Sequence, residues 1–244
     1  MTMKALKKLY DTQENLFAIL WIVLYCVISI PIRGQFGDES IWMTAALAVI
    51  ALSAALFFRK YHLEEKYGLD RWPTAVHRYW YFIPMLILMT GNLWGGFSVA
   101  YPGPGQLWAV LSMLLVGFIE EVIFRGFLFK MMLKENGVRP AIIVSSVTFG
   151  IGHLVNLLAG QTSLESVMQV LFAIAWGFIF TMVFYKCGSL WPSIIVHGLV
   201  DVFSKFAADN AAMQWVYVIS TIVIAIVYCV HLSRQETAPN HRIP

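Results

Sequence analysis

The sequence predicts an all-α, polytopic membrane protein with about eight transmembrane helices and both termini in the cytoplasm. Three observations lead to this prediction: the composition, the apolar stretches and the placement of the basic residues. Of the 244 residues, 59% are hydrophobic and only 13% are charged, whereas soluble domains are about half apolar and a quarter charged. The mean hydropathy of +0.70 agrees with residence in a lipid bilayer.

Apolar stretches long enough for membrane helices recur along the whole chain. A helix needs about 20 apolar residues to cross a bilayer. Eight stretches qualify or nearly qualify, at roughly 16–33, 41–58, 80–97, 106–132, 140–158, 165–185, 190–207 and 213–232. Their connections are short, so we expect a single transmembrane domain over 1–244. No A-x-A-type cleavage site follows the lysine-containing N-terminus, so the first stretch is a transmembrane helix and not a signal peptide.

The basic residues determine the predicted orientation. With the N-terminus inside, the eight spans leave fourteen of the 17 Lys and Arg residues on the inner side. These are Lys4, Lys7, Lys8, Arg59, Lys60, Lys66, Arg71, Arg78, Lys130, Lys134, Arg139, Lys186, Arg234 and Arg242. Only Arg33 and Lys205 fall outside, and Arg125 lies within a span. This bias is the one that places basic loops in the cytoplasm.

Six ionisable side chains lie deep in three of the predicted spans, although a charge at mid-bilayer costs about 2.5–3.5 kcal/mol on insertion scales. They are Glu120, Glu121, Arg125, His153, His197 and Asp201. Helical rise places them in a common layer near the middle of the membrane. So costly a set indicates a functional site more than a structural ion pair.

Helix geometry suggests which chemical role each of these groups has. Glu121 and Arg125 are four residues apart and share a face, so Arg125 is expected to compensate the Glu121 charge. Glu120 is turned by about 100° from Glu121 and is the better candidate for a general base. His197 and Asp201 form another pair at the same spacing.

Two carboxylates, two imidazoles and a guanidinium are suited to hydrolysis. Glu120 with His153 can hold and deprotonate a water, and His197 with a neighbour can stabilise the oxyanion formed on an attacked carbonyl. Such a site needs water, so we expect a cavity that opens on the cytoplasmic side.

Three short motifs resemble those of the CPBP family, which contains the CAAX prenyl endopeptidases and the bacteriocin-processing and bacteriocin-immunity (Abi) proteins. "EEVIFR" (120–125) is similar to the family's EExxxR motif, "FGIGH" (149–153) to FxxxH, and "HGLVD" (197–201) to HxxxN or HxxxD. They occur in the family's order on separate spans. The resemblance covers roughly 106–207, which we take as the catalytic core.

The resemblance implies a glutamate-dependent intramembrane endopeptidase that acts on a membrane-associated peptide or protein. By this similarity Glu120 and His153 activate water, and His197 with residue 201 forms the oxyanion hole. The prenyl-protein endopeptidases have Asn at that last position, where this chain has Asp201. An ionised Asp cannot donate to an oxyanion, so Asp201 must either be protonated or orient and charge His197.

Other functions remain open at the level of sequence. A non-catalytic bacteriocin-immunity or scaffold protein is the main alternative, and a proton-coupled transporter would also contain buried acids and histidines. No cofactor is expected. Zinc is a minority alternative, since no HExxH occurs and adjacent glutamates are poorly placed for one metal. The three cysteines form no CxxC motif and indicate neither a disulfide framework nor a cysteine zinc site.

The expected partners are the lipid bilayer and a hydrophobic or lipidated peptide substrate. The basic inner loops require no nucleic acid, because topology and anionic lipid explain them. Short loops and a compact chain favour a multi-pass protein of the bacterial plasma membrane.

Overall fold

The structure is a computed structural model that describes residues 2–73, 82–159 and 162–235. Ten α-helices occur in these ranges: α1 (Met3–Thr12), α2 (Glu14–Phe36), α3 (Ile41–Tyr61), α4 (Phe82–Met89), α5 (Pro104–Glu121), α6 (Phe129–Asn136), α7 (Val138–Gly152), α8 (Ser163–Cys187), α9 (Trp191–Ser204) and α10 (Ala211–Ser233). A π-helical segment, Val122–Leu128, joins α5 to α6, and the 3₁₀ segments Gly91–Leu93 and His153–Ala159 follow α4 and α7.

The all-helical membrane fold is confirmed, since no strand occurs among the described residues and six helices there are long and apolar enough to span a membrane. These six are Glu14–Phe36, Ile41–Tyr61, Pro104–Asn136, Val138–Val155, Ser163–Cys187 and Ala211–Ser233. The predicted third and seventh spans contain shorter apolar helices, Phe82–Leu93 and Trp191–Ser204. At 1.5 Å per residue, α9 rises only about 21 Å, against a hydrocarbon core of about 30 Å. Residues 74–81, which include the first two residues of the predicted third span, lie outside the described ranges.

Two oppositely placed ion clusters mark the ends of the bundle. At the first, Glu14 pairs with Lys66 and, at 3.1 Å, with Lys134; we call this the basic end. At the second, Asp38 contacts Arg33 and Lys205, each at 2.8 Å; we call this the Asp38 end. Helix α2 begins at the basic end and finishes at the Asp38 end, so the two clusters lie on opposite sides of the bundle.

An aromatic core fills the half of the bundle nearer the basic end. The Phe17 and Phe127 rings lie 4.9 Å apart, and the Trp21 and Phe127 rings lie 5.6 Å apart. Phe57 and Phe58 of α3 pack on the same group. All five side chains are buried, so this part of the bundle is filled by side chains.

A close approach of α5 and α9 brings together the two helices that carry the glutamate pair and His197. A Cβ on Gly117 would lie 2.5 Å from the backbone nitrogen of Gly198, a distance that no side chain permits. Small residues allow membrane helices to approach in this way. Gly117 precedes the glutamate pair by one turn and Gly198 follows His197, so the contact places these polar side chains opposite each other.

The helix that carries the glutamates changes its winding directly after them. The sequence predicts a regular helix over 106–132, but Val122–Leu128 is π-helical within a continuous 33-residue helix. The hydroxyl of Ser145 on α7 donates to the carbonyl of Phe124 in this segment, at 2.8 Å. Single π-turns within helices occur frequently at functional sites.

Candidate active site

Glu120 projects from the end of α5 toward the middle of α2. Its Oε1 accepts a hydrogen bond of 2.7 Å from the Tyr25 hydroxyl. Its Oε2 lies 3.6 Å from Nε2 of His197, which is longer than a hydrogen bond. Tyr25 therefore fixes one carboxylate oxygen of Glu120 and leaves the other oriented toward the histidine.

Glu121 points away from Glu120 into a fully buried ion pair. Its Oε1 lies 2.9 Å from Nη1 of Arg125 and 2.8 Å from Nδ1 of His197, and both Glu121 and Arg125 side chains are 0% exposed. The predicted pairing of Glu121 with Arg125 is confirmed. The contact with His197 was not predicted and joins the first motif to the third.

Arg125 is held mainly by aromatic faces. Its guanidinium carbon lies 4.2 Å from the centre of the Phe149 ring and 5.4 Å from that of Phe180, within the range of cation–π attraction. The Glu121 contact is a charge pairing without hydrogen-bond geometry, and the guanidinium nitrogens find no acceptor among the described residues. Phe149, the first residue of the FxxxH motif, is therefore a packing partner of the arginine.

His197 lies at the centre of three carboxylates. With Nδ1 facing Glu121, its Nε2 faces Asp201 at 3.5 Å and Glu120 at 3.6 Å. Its ring also stacks on Phe180, at 5.4 Å between centroids. The contact between His197 and Asp201 is at the predicted spacing, but its distance is that of an ion pair and not of a direct hydrogen bond.

His153 directly follows α7, where the helix tightens into a 3₁₀ turn. Its Nδ1 lies 3.1 Å from the carbonyl oxygen of Phe149. A carbonyl oxygen can only accept, so Nδ1 carries the hydrogen of this bond. In neutral His153, Nε2 is therefore the nitrogen that can accept a proton or a hydrogen bond.

A cavity of about 330 Å³ connects these groups to one end of the bundle. Glu120, His153 and Asp201 line it at depth, and Arg33, Asp38 and Lys205 line it at the Asp38 end. A smaller cavity of about 70 Å³ is lined by His197 and shares His153 and Asp201 with the larger one. The two histidines thus line a common polar space.

The cavity reaches the end of the bundle opposite to the one expected. The sequence predicts an opening beside the basic inner loops, but the polar lining ends at Arg33 and Lys205, the two basic residues assigned to the outer side. At the basic end, the buried rings of Phe17 and Phe127 occupy the corresponding volume. The expected cavity position is therefore wrong relative to the basic loops.

The structure gathers all six predicted site residues around one polar centre, although their chemical roles stay predictions. Among the described residues, no three His, Cys, Asp or Glu side chains are arranged as a metal-binding group. Tyr25 was missed by sequence analysis, because a lone tyrosine in an apolar span is usual. The signal that could have identified Tyr25 is a side-chain hydroxyl near the middle of an apolar span.

Comparison with known proteins agrees with the motif assignment. Residues 102–203 match the family model of type II CAAX prenyl endopeptidase Rce1-like proteins. This match confirms the resemblance to the CPBP and CAAX protease family over the segment with the three motifs. No curated protein and no solved structure matches the chain.

Proposed function

From the Rce1-like match over residues 102–203, we propose that this chain is an intramembrane endopeptidase of the CAAX type. It hydrolyses a peptide bond in a membrane-associated peptide or protein. The observation that carries the proposal is a shared cavity that contains a carboxylate with one fixed oxygen, Glu120, and an imidazole with a defined acceptor nitrogen, His153.

Glu120 and His153 activate the attacking water. The water oxygen adds to the carbonyl carbon of the scissile bond, while one of its protons passes to the Glu120 carboxylate. His153 accepts a hydrogen bond from the same water through Nε2 and orients it. Glu120 then gives the proton to the leaving nitrogen as the carbon–nitrogen bond breaks, which releases an amine and a new carboxyl group.

His197 stabilises the negative charge that forms on the carbonyl oxygen. Its Nε2 can donate to that oxygen when it carries a proton, and the Glu121 contact at Nδ1 holds the ring in place. Protonated Asp201 is a second donor, and ionised Asp201 instead charges His197. Arg125 balances Glu121, so it supports the site without touching the substrate.

We further propose eight membrane crossings with both termini cytoplasmic, in a bacterial plasma membrane. Suppose that the basic end and the Asp38 end lie on opposite faces of the membrane. The six long helices can then be connected only if the shorter helices α4 and α9 also cross. A short helix can cross where the bilayer thins or its flanking residues extend toward the interface. One transmembrane domain then includes the whole chain.

The test compares purified wild type with Glu120→Gln, using quenched-fluorescent hydrophobic peptides in detergent. Glu135→Gln, a change at an exposed glutamate of α6, is the matched control. We expect cleavage by wild type and the control, unaffected by a zinc chelator, and loss of cleavage in Glu120→Gln. Full activity of Glu120→Gln would contradict the proposal.

Two other results would favour the alternative functions, a zinc enzyme or a non-catalytic protein. Loss of wild-type cleavage with chelator would favour a zinc enzyme. If a cell-based function of the protein survived Glu120→Gln without change, the binding role of an immunity or scaffold protein would explain it better than catalysis.

A further inference from the structure

The two ends of the bundle differ strongly in charge. The basic end and its adjoining loops carry most of the lysines and arginines in the described ranges, among them Lys60, Lys66, Lys130 and Lys134. At the Asp38 end, Arg33 and Lys205 share one carboxylate, Asp38. Basic loops are retained in the cytoplasm during membrane insertion. The basic end is therefore cytoplasmic, and the Asp38 end faces the opposite side.

The cavity follows one helix face from its floor to the Asp38 end. Tyr25, Ser29 and Arg33 are spaced by four residues on α2, and all three line the cavity. They span about 12 Å along the helix axis. Ser204, at the end of α9, lines the same opening and is exposed, so the cavity reaches the surface of the bundle there.

The opposite direction is blocked by aromatic side chains. Trp21, one turn before Tyr25 on α2, is 3% exposed and packs on Phe127, which is 1% exposed. Phe17, one further turn toward the basic end, is fully buried against the same ring. Within the described ranges these rings fill the space between Glu120 and the cytoplasmic face.

We propose that the site receives its substrate from the extracytoplasmic side of the membrane. This inference rests on the proposed endopeptidase function and specifies its substrate class: an exported peptide, or a membrane-protein segment exposed on the outer face. A lipidated C-terminus in the cytoplasm would meet the aromatic core instead of the cavity.

Cysteine labelling tests the sidedness without any need for activity. Cys26, Cys187 and Cys229 are first replaced by alanine. Ser204→Cys then reports on the cavity opening, and Glu135→Cys is the matched control at the basic end, since both positions are exposed. A membrane-impermeant maleimide is applied to right-side-out and inverted vesicles, and labelling is normalised to protein in detergent.

We expect Ser204→Cys to be labelled in right-side-out vesicles and Glu135→Cys only in inverted ones. The reverse pattern, or labelling of both positions from one face, would overturn the proposal. Native-cysteine protein that retains Cys26, Cys187 and Cys229 provides the folding reference, by its elution profile in detergent.

A second experiment connects sidedness to catalysis. An impermeant quenched-fluorescent peptide is offered to sealed right-side-out vesicles, and cleavage should begin without permeabilisation. Cleavage that requires permeabilisation would overturn the proposed sidedness. If the labelling pattern is as expected but detergent-solubilised protein cleaves no peptide, the endopeptidase proposal fails while the outward opening stands.

Discussion

The two adjacent glutamates occupy different environments, and the contrast explains how a charged site survives within the membrane. Glu121 is fully buried, with its charge balanced by Arg125. Glu120 lines a cavity and is held by a neutral hydroxyl. The half of the site around Glu121 is therefore charge-compensated and closed to the cavity, and the half around Glu120 has no paired cation and lines the cavity, which water can enter. The half that reaches water is where proton transfer is possible.

The largest expected effect comes from breaking the compensated half. Arg125→Met removes the guanidinium that pairs with the buried Glu121 carboxylate, which should lower the free energy of unfolding by about 3–5 kcal/mol. Thermal unfolding in detergent measures this change. Arg139→Met, at an exposed position on α7, is the control and should unfold as wild type does. Equal stability of the two variants would show that aromatic packing, and not charge, holds this half.

The half that reaches water should respond in rate more than in stability. Tyr25→Phe removes the hydrogen bond to Glu120, and a hydrogen bond to a charged group contributes about 1.5–3 kcal/mol. We expect kcat to fall about tenfold or more while KM stays unchanged, because Glu120 loses its orientation and substrate contacts remain. Steady-state kinetics on a cleaved peptide measure the split.

Tyr67→Phe controls for the loss of a buried phenol. Tyr67 donates to Tyr10, at 3.0 Å, and neither residue lines the cavity that holds Glu120, so the kcat of this variant should equal that of wild type. A similar fall in kcat for both variants would assign the Tyr25 effect to general packing.

The contact between α5, which carries both glutamates, and α9, which carries His197, can be loosened directly. Gly117→Ala places a methyl group against the Gly198 backbone, so α5 and α9 must separate. Such overpacking costs about 1–3 kcal/mol, and activity should fall because His197 moves away from both glutamates. Unfolding and peptide cleavage are measured together. Gly34→Ala, where no neighbour lies within 4 Å, should leave both unchanged.

The smallest effect is expected at the cavity opening. Burial tends to raise the pKa of Asp38, but Arg33 and Lys205 outweigh it and hold that pKa below its ordinary value of 3.8. The stabilisation is therefore present above about pH 4 and is lost as pH falls through the lower folded-state pKa.

Asp38→Asn should consequently destabilise the protein at neutral pH, by about 1 kcal/mol, and the difference from wild type should shrink below about pH 4. Unfolding temperatures across this range measure it. Glu39→Gln in the same loop is the control. A difference that does not change with pH would mean that Asp38 acts through shape and not through charge.

Sequence reasoning singled out the six residues that the structure brings together, because their main signals are local. Charges are costly in an apolar span, and contacts at a spacing of four residues follow from helix geometry, as Glu121 and Arg125 demonstrate. Contacts between helices carry no such signal. The link from His197 to Glu121 depends on the Gly117–Gly198 approach, and the link from Tyr25 to Glu120 joins residues 95 positions apart.

The winding and the lengths of the helices also could not be predicted from the sequence pattern. Hydropathy marks where apolar residues lie but not where backbone hydrogen bonding changes, so the π-helical Val122–Leu128 and the short α9 were not predicted. The cavity position depends on which large side chains fill the bundle. Phe17, Trp21 and Phe127 fill the half near the basic end, and their packing cannot be derived from composition.

That aromatic core also has an electrical consequence. With the proposed outward opening, water in the cavity would carry the outer potential down to Glu120, and most of the membrane voltage would then drop across the remaining layer around Phe127. Each elementary charge that crossed this layer would gain about 2.3 kcal/mol per 100 mV. In that arrangement the buried rings of Phe17, Trp21 and Phe127 would form the electrically insulating layer between the cavity and the cytoplasm.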